Sequence, residues 1–281
     1  MNISDLTDEK WFQALSGEIQ LPEIEIPKMP SEQIQLNFTG ASGKDTLEAA
    51  YGFYILIKDI LKELNIPINP QTKLLDFGSG WGRIIRFWIK DIKEENLFGV
   101  DPLPEMITLC KQIMPRINFI QVNPEPPIKE IEDDTFNIVT AYSVFSHLNE
   151  EYTNNWFAEF NRVLKPGGLL VITTRSKIFI DYCNQLRKED VQSQEYKKTL
   201  PFCFNDYHQC IKNYNSGMFV HQSTGGGGLL SSDFFGESCI PKQYFERFNG
   251  NFKMHKFIDY LFFEPTQTCA VLIKNDSLGV T

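Results

Sequence analysis

Leu74-Leu75-Asp76-Phe77-Gly78-Ser79-Gly80-Trp81-Gly82-Arg83 sets a short apolar run directly before three glycines at alternate positions. The run has the composition of a strand and residues 84–90 read as a helix, so the glycines form a strand-to-helix turn. Glycine tolerates positive φ and lets a ligand approach the main chain where a Cβ would collide. The free N–H groups of a following helix point at such a ligand, which argues for one of nucleotide type.

Outward from this turn, strand and helix signals alternate. Strands are expected at 73–77, 96–101 and 118–122, with a helix at 104–114. A strand at 136–142, a helix at 150–164, a Pro166-Gly167-Gly168 turn and a strand at 169–173 follow. Strands that are apolar on both faces belong to a parallel sheet covered on both sides. The runs 255–263 and 268–274 flank Glu264-Pro265-Thr266-Gln267 and predict a closing antiparallel hairpin. The expected fold is α/β: a Rossmann-like, seven-stranded, mostly parallel sheet with that hairpin at its end and helices on both faces.

Residues 1–44 carry Pro22, Pro27 and Pro30 among alternating acidic and apolar residues, which predicts an extended N-terminal arm. A helix is expected from 45 to 64, stopped by Pro67 and laid over the ligand of the glycine turn with Tyr51 or Tyr54 facing inward. Residues 45–175 and 241–281 make the core. Between them, 176–240 is polar, aromatic and glycine-rich, including Gly225 to Gly228, and reads as a substrate-binding insertion or lid.

With 42% hydrophobic residues in 281, the chain can build a sizeable core. Its formal charge of −9 lacks the basic balance that phosphate contacts need, so no nucleic-acid partner is expected. No run approaches the roughly 18 apolar residues of a membrane span, so no membrane partner is expected. The polar start Met1-Asn2-Ile3-Ser4-Asp5-Leu6 carries no leader-like core, and a cytoplasmic location is the expectation. Six scattered cysteines without a C-x-x-C pair predict neither a disulfide framework nor a metal site.

The second strand ends in Asp101, 25 residues after Asp76, where a carboxylate can accept both hydroxyls of a ribose. A dinucleotide fingerprint would place its third glycine at 83, which is Arg83. The pattern Asp-x-Gly-x-Gly-x-Gly resembles motif I of the class I S-adenosylmethionine-dependent methyltransferases. Phe136 to Leu148 and Arg162-Val163-Leu164-Lys165-Pro166-Gly167-Gly168 to Ile172 are similar to later landmarks of that family, in the right order. The wording Gly-Trp-Gly-Arg with Ala-Tyr-Ser-Val-Phe-Ser-His-Leu resembles a bacterial subgroup associated with saccharides and small molecules.

That resemblance implies S-adenosyl-L-methionine as cofactor. Asp76 with the Gly78, Ser79, Gly80 and Trp81 backbone would hold its methionine end, and Asp101 its ribose. Pro102 and Asn123 would lie against adenine, and Tyr142 would flank the sulfonium. Arg83 either reaches the cofactor carboxylate or faces solvent. Methyl transfer to a small-molecule or glycan acceptor, most simply on oxygen, needs a general base. Of four histidines, His147 follows the fourth strand, where open α/β sheets bind ligands, and is the expected base. His208 and His221 could instead be supplied by the insertion. Two rival readings are a nicotinamide-dependent oxidoreductase and a non-catalytic partner that kept the fold.

Overall fold

A computed structural model describes residues 2–189, 198–248 and 250–276. The chain divides into two compact units, Met1–Val122 and Asn123–Thr281.

The first unit opens with helices α1 (Asp8–Leu15) and α2 (Glu32–Thr39), so residues 1–44 are not the extended arm that their prolines suggest. Thr7 caps α1 by accepting the Lys10 N–H at 3.2 Å, and Trp11, Phe12 and Leu15 are buried on one side. The Trp11 indole is fully buried and donates to the Phe87 carbonyl at 3.1 Å. The prolines punctuate this segment between helices and leave its apolar residues free to dock.

Helix α3 (Gly43–Glu63) buries Leu47, Ala50, Tyr54, Ile57 and Leu61, spaced three and four residues apart. Tyr54 does not face a ligand site. Its hydroxyl, a single donor, lies 2.8 Å from Asp8 and 2.5 Å from Asp91, beside Lys58 and Lys90, and its ring packs on Phe87 and Trp88. Strands β1 (Leu74–Phe77), β2 (Leu97–Asp101) and β3 (Asn118–Gln121) pair in parallel in the order β3-β2-β1. Between them lie α4 (Ile85–Trp88), shorter than expected, and α5 (Pro104–Ile113), with Pro104 at its first turn.

The second unit holds β4 (Phe136–Ala141), α6 (Glu150–Val163) and β5 (Leu164–Thr174). The Pro-Gly-Gly segment is not a separate turn before the strand. β5 begins at Leu164, paired with Phe136, and resumes at Leu169, paired with Ile138, so the intervening residues bulge out of the ladder. Gly168 is required there, because a Cβ would lie 2.7 Å from the Lys165 carbonyl.

After α7 (Lys177–Leu186) and α8 (Tyr207–Asn215), strands β6 (Val220–Ser223) and β7 (Gly236–Cys239) form a small antiparallel sheet. Helix α9 (Lys242–Phe245) precedes β8 (Phe252–Ile258) and β9 (Thr268–Lys274), which pair antiparallel as expected, with β8 starting three residues early. The strands of this unit run β4-β5-β9-β8. With the three of the first unit they make seven, mostly parallel, and helices cover them in a Rossmann-like α/β fold. No helix among the described residues is long and apolar enough to cross a membrane.

The 176–240 segment has a core of its own, in which Phe179, Ile180, Leu186, Leu200, Phe204 and Val220 are buried together. Phe204 and Tyr214 therefore serve packing, whereas Phe202 is 73% exposed.

Candidate active site

In the first unit the glycine turn folds back on the end of β2. The Gly78 and Ser79 N–H groups both donate to the Val100 carbonyl, at 2.9 and 3.0 Å, and Gly82 donates to the Ser79 carbonyl at 2.8 Å. The Gly80 N–H donates to Asp101 Oδ2 at 2.8 Å, while Asp101 Oδ1 accepts the Leu103 N–H at 3.0 Å. Asp101 therefore clamps the loop, and each oxygen keeps a second lone pair for a further donor. Burial pushes its pKa up, and the two backbone donors pull against that. Asp76, at the end of β1, is also buried.

The three glycines take φ of +70°, +50° and +77°, but for different ends. A Cβ on Gly82 would lie 2.2 Å from Met114 Cε, so this glycine lets α5 approach. Around Gly80 a Cβ would meet only the Phe38 ring, at 3.4 Å. Trp81 contributes backbone to the loop while its side chain is buried, with the Arg86 guanidinium 4.7 Å over its ring. Arg86 donates to the Gly82 carbonyl at 3.0 Å, and burial lowers its pKa to about 10. Arg83 takes neither expected role: it donates to the Thr46 carbonyl at 3.1 Å. Pro102 is half-buried beside the clamp.

Two features of this loop suit a cationic adenosyl ligand. The buried Ser79 hydroxyl has no hydrogen-bond partner among the described residues. Two buried carboxylates, Asp76 and Asp101, also lie at the strand ends beside it, and buried acids favour a cationic partner.

In the second unit Asn123 is exposed, whereas Tyr142 is buried at the end of β4. Ser143 next to it has φ +60°, rare for a residue with a Cβ, and its N–H donates to Thr173 Oγ1 at 2.7 Å. Thr173 in turn bonds Gln267.

The loop beyond runs alongside β7: Gly236 N–H donates to the His147 carbonyl and Ser238 N–H to the Ser146 carbonyl, both at 2.8 Å. This pairing fixes the His147 ring. Its Nδ1 lies 2.8 Å from the Gly236 carbonyl, an acceptor only, so Nδ1 carries the proton and Nε2 presents its lone pair. The ring stacks on Phe235 at 4.9 Å and 5°, and Glu237 Oε1 is 3.8 Å from Nδ1. Burial lowers the His147 pKa, Glu237 raises it and Arg175 lowers it. The imidazole is thus neutral near pH 7.

Glu237 and Arg175 escaped the sequence reading. They form a buried ion pair at 2.6 Å, and the Arg175 guanidinium lies 3.5 Å over the Phe179 ring. Neither residue sits in a motif or an apolar run that would have marked it, Arg175 lying in Thr174-Arg175-Ser176-Lys177 and Glu237 in Gly236-Glu237-Ser238. His221 Nδ1 lies 2.8 Å from Ser238 Oγ, which donates to the Leu148 carbonyl at 2.6 Å, so His221 belongs to the same neighbourhood. His208 is exposed on α8 and His255 lies on β8.

Gly236 is the hinge of this arrangement, since a Cβ there would sit 2.1 Å from the Gln222 carbonyl oxygen. Gly236→Ala is expected to lower folding stability by about 2–4 kcal/mol, read from denaturant unfolding, because the clash is with backbone that cannot rotate away.

Comparison with known proteins places this geometry. Residues 74–168 match a family model described as a methyltransferase domain. Those residues are a methyltransferase domain. The matched span runs from β1 into the β5 bulge.

The chain is 26% identical over 120 residues to the ubiquinone/menaquinone biosynthesis C-methyltransferase UbiE of Campylobacter jejuni, covering 41% of this chain and 49% of that protein. It is 27% identical over 143 residues to phosphoethanolamine N-methyltransferase of Plasmodium falciparum, covering 50% of each. The chain thus spans about half the length of these curated relatives. A solved S-adenosylmethionine-dependent methyltransferase from Clostridium acetobutylicum shares the fold at TM-score 0.51 and 10% identity, covering 80% of this chain and 91% of that one.

Proposed function

We propose that this protein transfers a methyl group from S-adenosylmethionine to a small molecule, at a hydroxyl oxygen. The observation that carries the reading is the Asp101 clamp on Gly80, with the unpartnered Ser79 hydroxyl beside it, inside a methyltransferase domain. Bound S-adenosylmethionine supplies an electrophilic methyl on a sulfonium. Asp76 and the loop from Gly78 to Trp81 would hold its methionine end, Asp101 would accept the ribose hydroxyls, Pro102 and Asn123 would border adenine, and Tyr142 would flank the sulfonium.

His147 acts as the general base. Its Nδ1 proton is held by Gly236, and Nε2 would take the acceptor's proton as the new C–O bond replaces the methyl–sulfur bond, whose electron pair leaves with S-adenosylhomocysteine. The nearby Glu237 carboxylate favours the imidazolium produced, and Arg175 stands 2.6 Å from that carboxylate on its other oxygen. The 176–240 segment, with β7 against the His147 loop, supplies acceptor selectivity. The relatives named for carbon and nitrogen acceptors mark the alternatives, but a histidine presenting a neutral nitrogen suits a hydroxyl, which must lose its proton.

Calorimetric titration tests the cofactor half of this reading. S-adenosylhomocysteine is expected to bind at micromolar concentration and raise the unfolding midpoint, with NAD giving neither effect. Hydroxylated small molecules and glycans, screened for methyl incorporation beside amine acceptors, test the other half. Product only on nitrogen would overturn the oxygen assignment.

A further inference from the structure

Helix α2 packs with the opposite polarity to an ordinary surface helix. Its one buried residue is the polar Gln35, while Leu36 is 40% exposed and Phe38 is 45% exposed. A helix docked by burial would turn its apolar residues inward. This one is held by polar bonds. Gln35 Nε2 donates to the Pro30 carbonyl and the Gly43 N–H donates to Gln35 Oε1, both at 2.8 Å. The Thr39 and Thr46 hydroxyls are 2.7 Å apart, and Arg83, directly after the glycine run, bonds the Thr46 carbonyl.

The result of these tethers is the position of Phe38. Its Cε1 lies 3.4 Å from where a Cβ on Gly80 would be, against the residue whose N–H is bound to Asp101. An aromatic ring used for packing is sunk into a core. Phe38 instead covers the loop with nearly half its surface open.

We propose that Phe38 is the cover of the cofactor site: its ring lies against the adenosyl ligand held at Gly80 and loses its remaining exposure on binding. The proposal rests on the reading of the glycine loop as the S-adenosylmethionine site. It makes α2 a cap assembled by polar tethers, whose apolar contact is completed by the ligand.

Binding of S-adenosylhomocysteine to the full chain tests it, with Phe38→Ala, Phe38→Leu and Leu36→Ala beside the wild type. Phe38→Ala is expected to raise the dissociation constant about tenfold, mainly through faster release, with partial recovery in Phe38→Leu. Its unfolding midpoint without ligand should stay within about 2 °C of wild type, since the ring is half-exposed. Leu36→Ala, two positions around the helix, should bind as wild type does. Amide exchange across residues 32–39 should slow on ligand binding in wild type and not in Phe38→Ala. Unchanged affinity and unchanged exchange in folded Phe38→Ala would overturn the proposal. Wild-type protein that binds no adenosyl ligand would overturn the cofactor reading itself, an outcome visible without any variant.

Discussion

Replacing His147 with alanine is expected to lower kcat by about 100- to 10,000-fold, the usual contribution of a positioned general base, while leaving the dissociation constant of S-adenosylhomocysteine unchanged. The acceptor hydroxyl is a poor nucleophile until its proton leaves. In the His147 neighbourhood, Nε2 is the lone pair that the Gly236 bond on Nδ1 keeps available. The pH dependence follows from the same environment. Burial holds the His147 pKa below the ordinary value of about 6.5. The active neutral form therefore accumulates as pH rises through that lowered pKa, and kcat should climb on the acid side and level out at lower pH than an ordinary imidazole would allow. The alanine variant should lose this limb. Folding stability should move the same way: below the ordinary value the unfolded imidazole takes up a proton that the folded one resists, so stability falls with acidification through that window. Glu237→Gln separates base from support. It removes the charge that favours the imidazolium, and should shift the acid limb to still lower pH. A His147→Ala variant with wild-type kcat and an intact acid limb would remove the base assignment.

Asp101→Ala should weaken cofactor binding by about 100-fold or more. The carboxylate makes two backbone bonds, to Gly80 and Leu103, and faces the ribose position. Hydrogen bonds to charged groups contribute about 1.5–3 kcal/mol each, and orphaning the Gly80 and Leu103 donors adds to the loss of the diol contact. Asp101→Asn keeps one acceptor oxygen but turns an amide donor toward an N–H donor, so it should fall nearer to alanine than to wild type. Calorimetry with S-adenosylhomocysteine reads both. Because burial already pushes the Asp101 pKa up, affinity should also decline as pH falls toward the carboxylate range. Equal affinity in Asp101→Ala and wild type would show that the loop holds its ligand without this acid.

The legible part of this protein is local and periodic. β1 with its glycines, the apolar β4 and the hairpin of β8 and β9 carry patterns that only one kind of sheet satisfies, and the order of landmarks sufficed to name the cofactor. Residues whose role is set by partners far along the chain were harder to read. Prolines concealed α1, because Trp11 becomes structured by docking on Phe87, 76 residues away. Trp81 was expected to serve through its backbone, and only the structure shows that its side chain packs under Arg86. Arg83 looked like a cofactor ligand or a solvent residue and is a tether to α3. Glu237 and Arg175 carry no motif at all, since a single charge has meaning only once its counter-charge is known.

Backbone conformation and binary pattern are short-range properties, so the sequence by itself determined the α/β sheet, the glycine turn with Asp76 and Asp101 at its flanks, and His147 at the end of the fourth strand. Only the tertiary structure decided which glycine makes room for α5 and which meets Phe38, which nitrogen of His147 is free, and that a buried ion pair stands behind it. Those depend on distances between residues tens of positions apart, and no pattern along the chain encodes a distance.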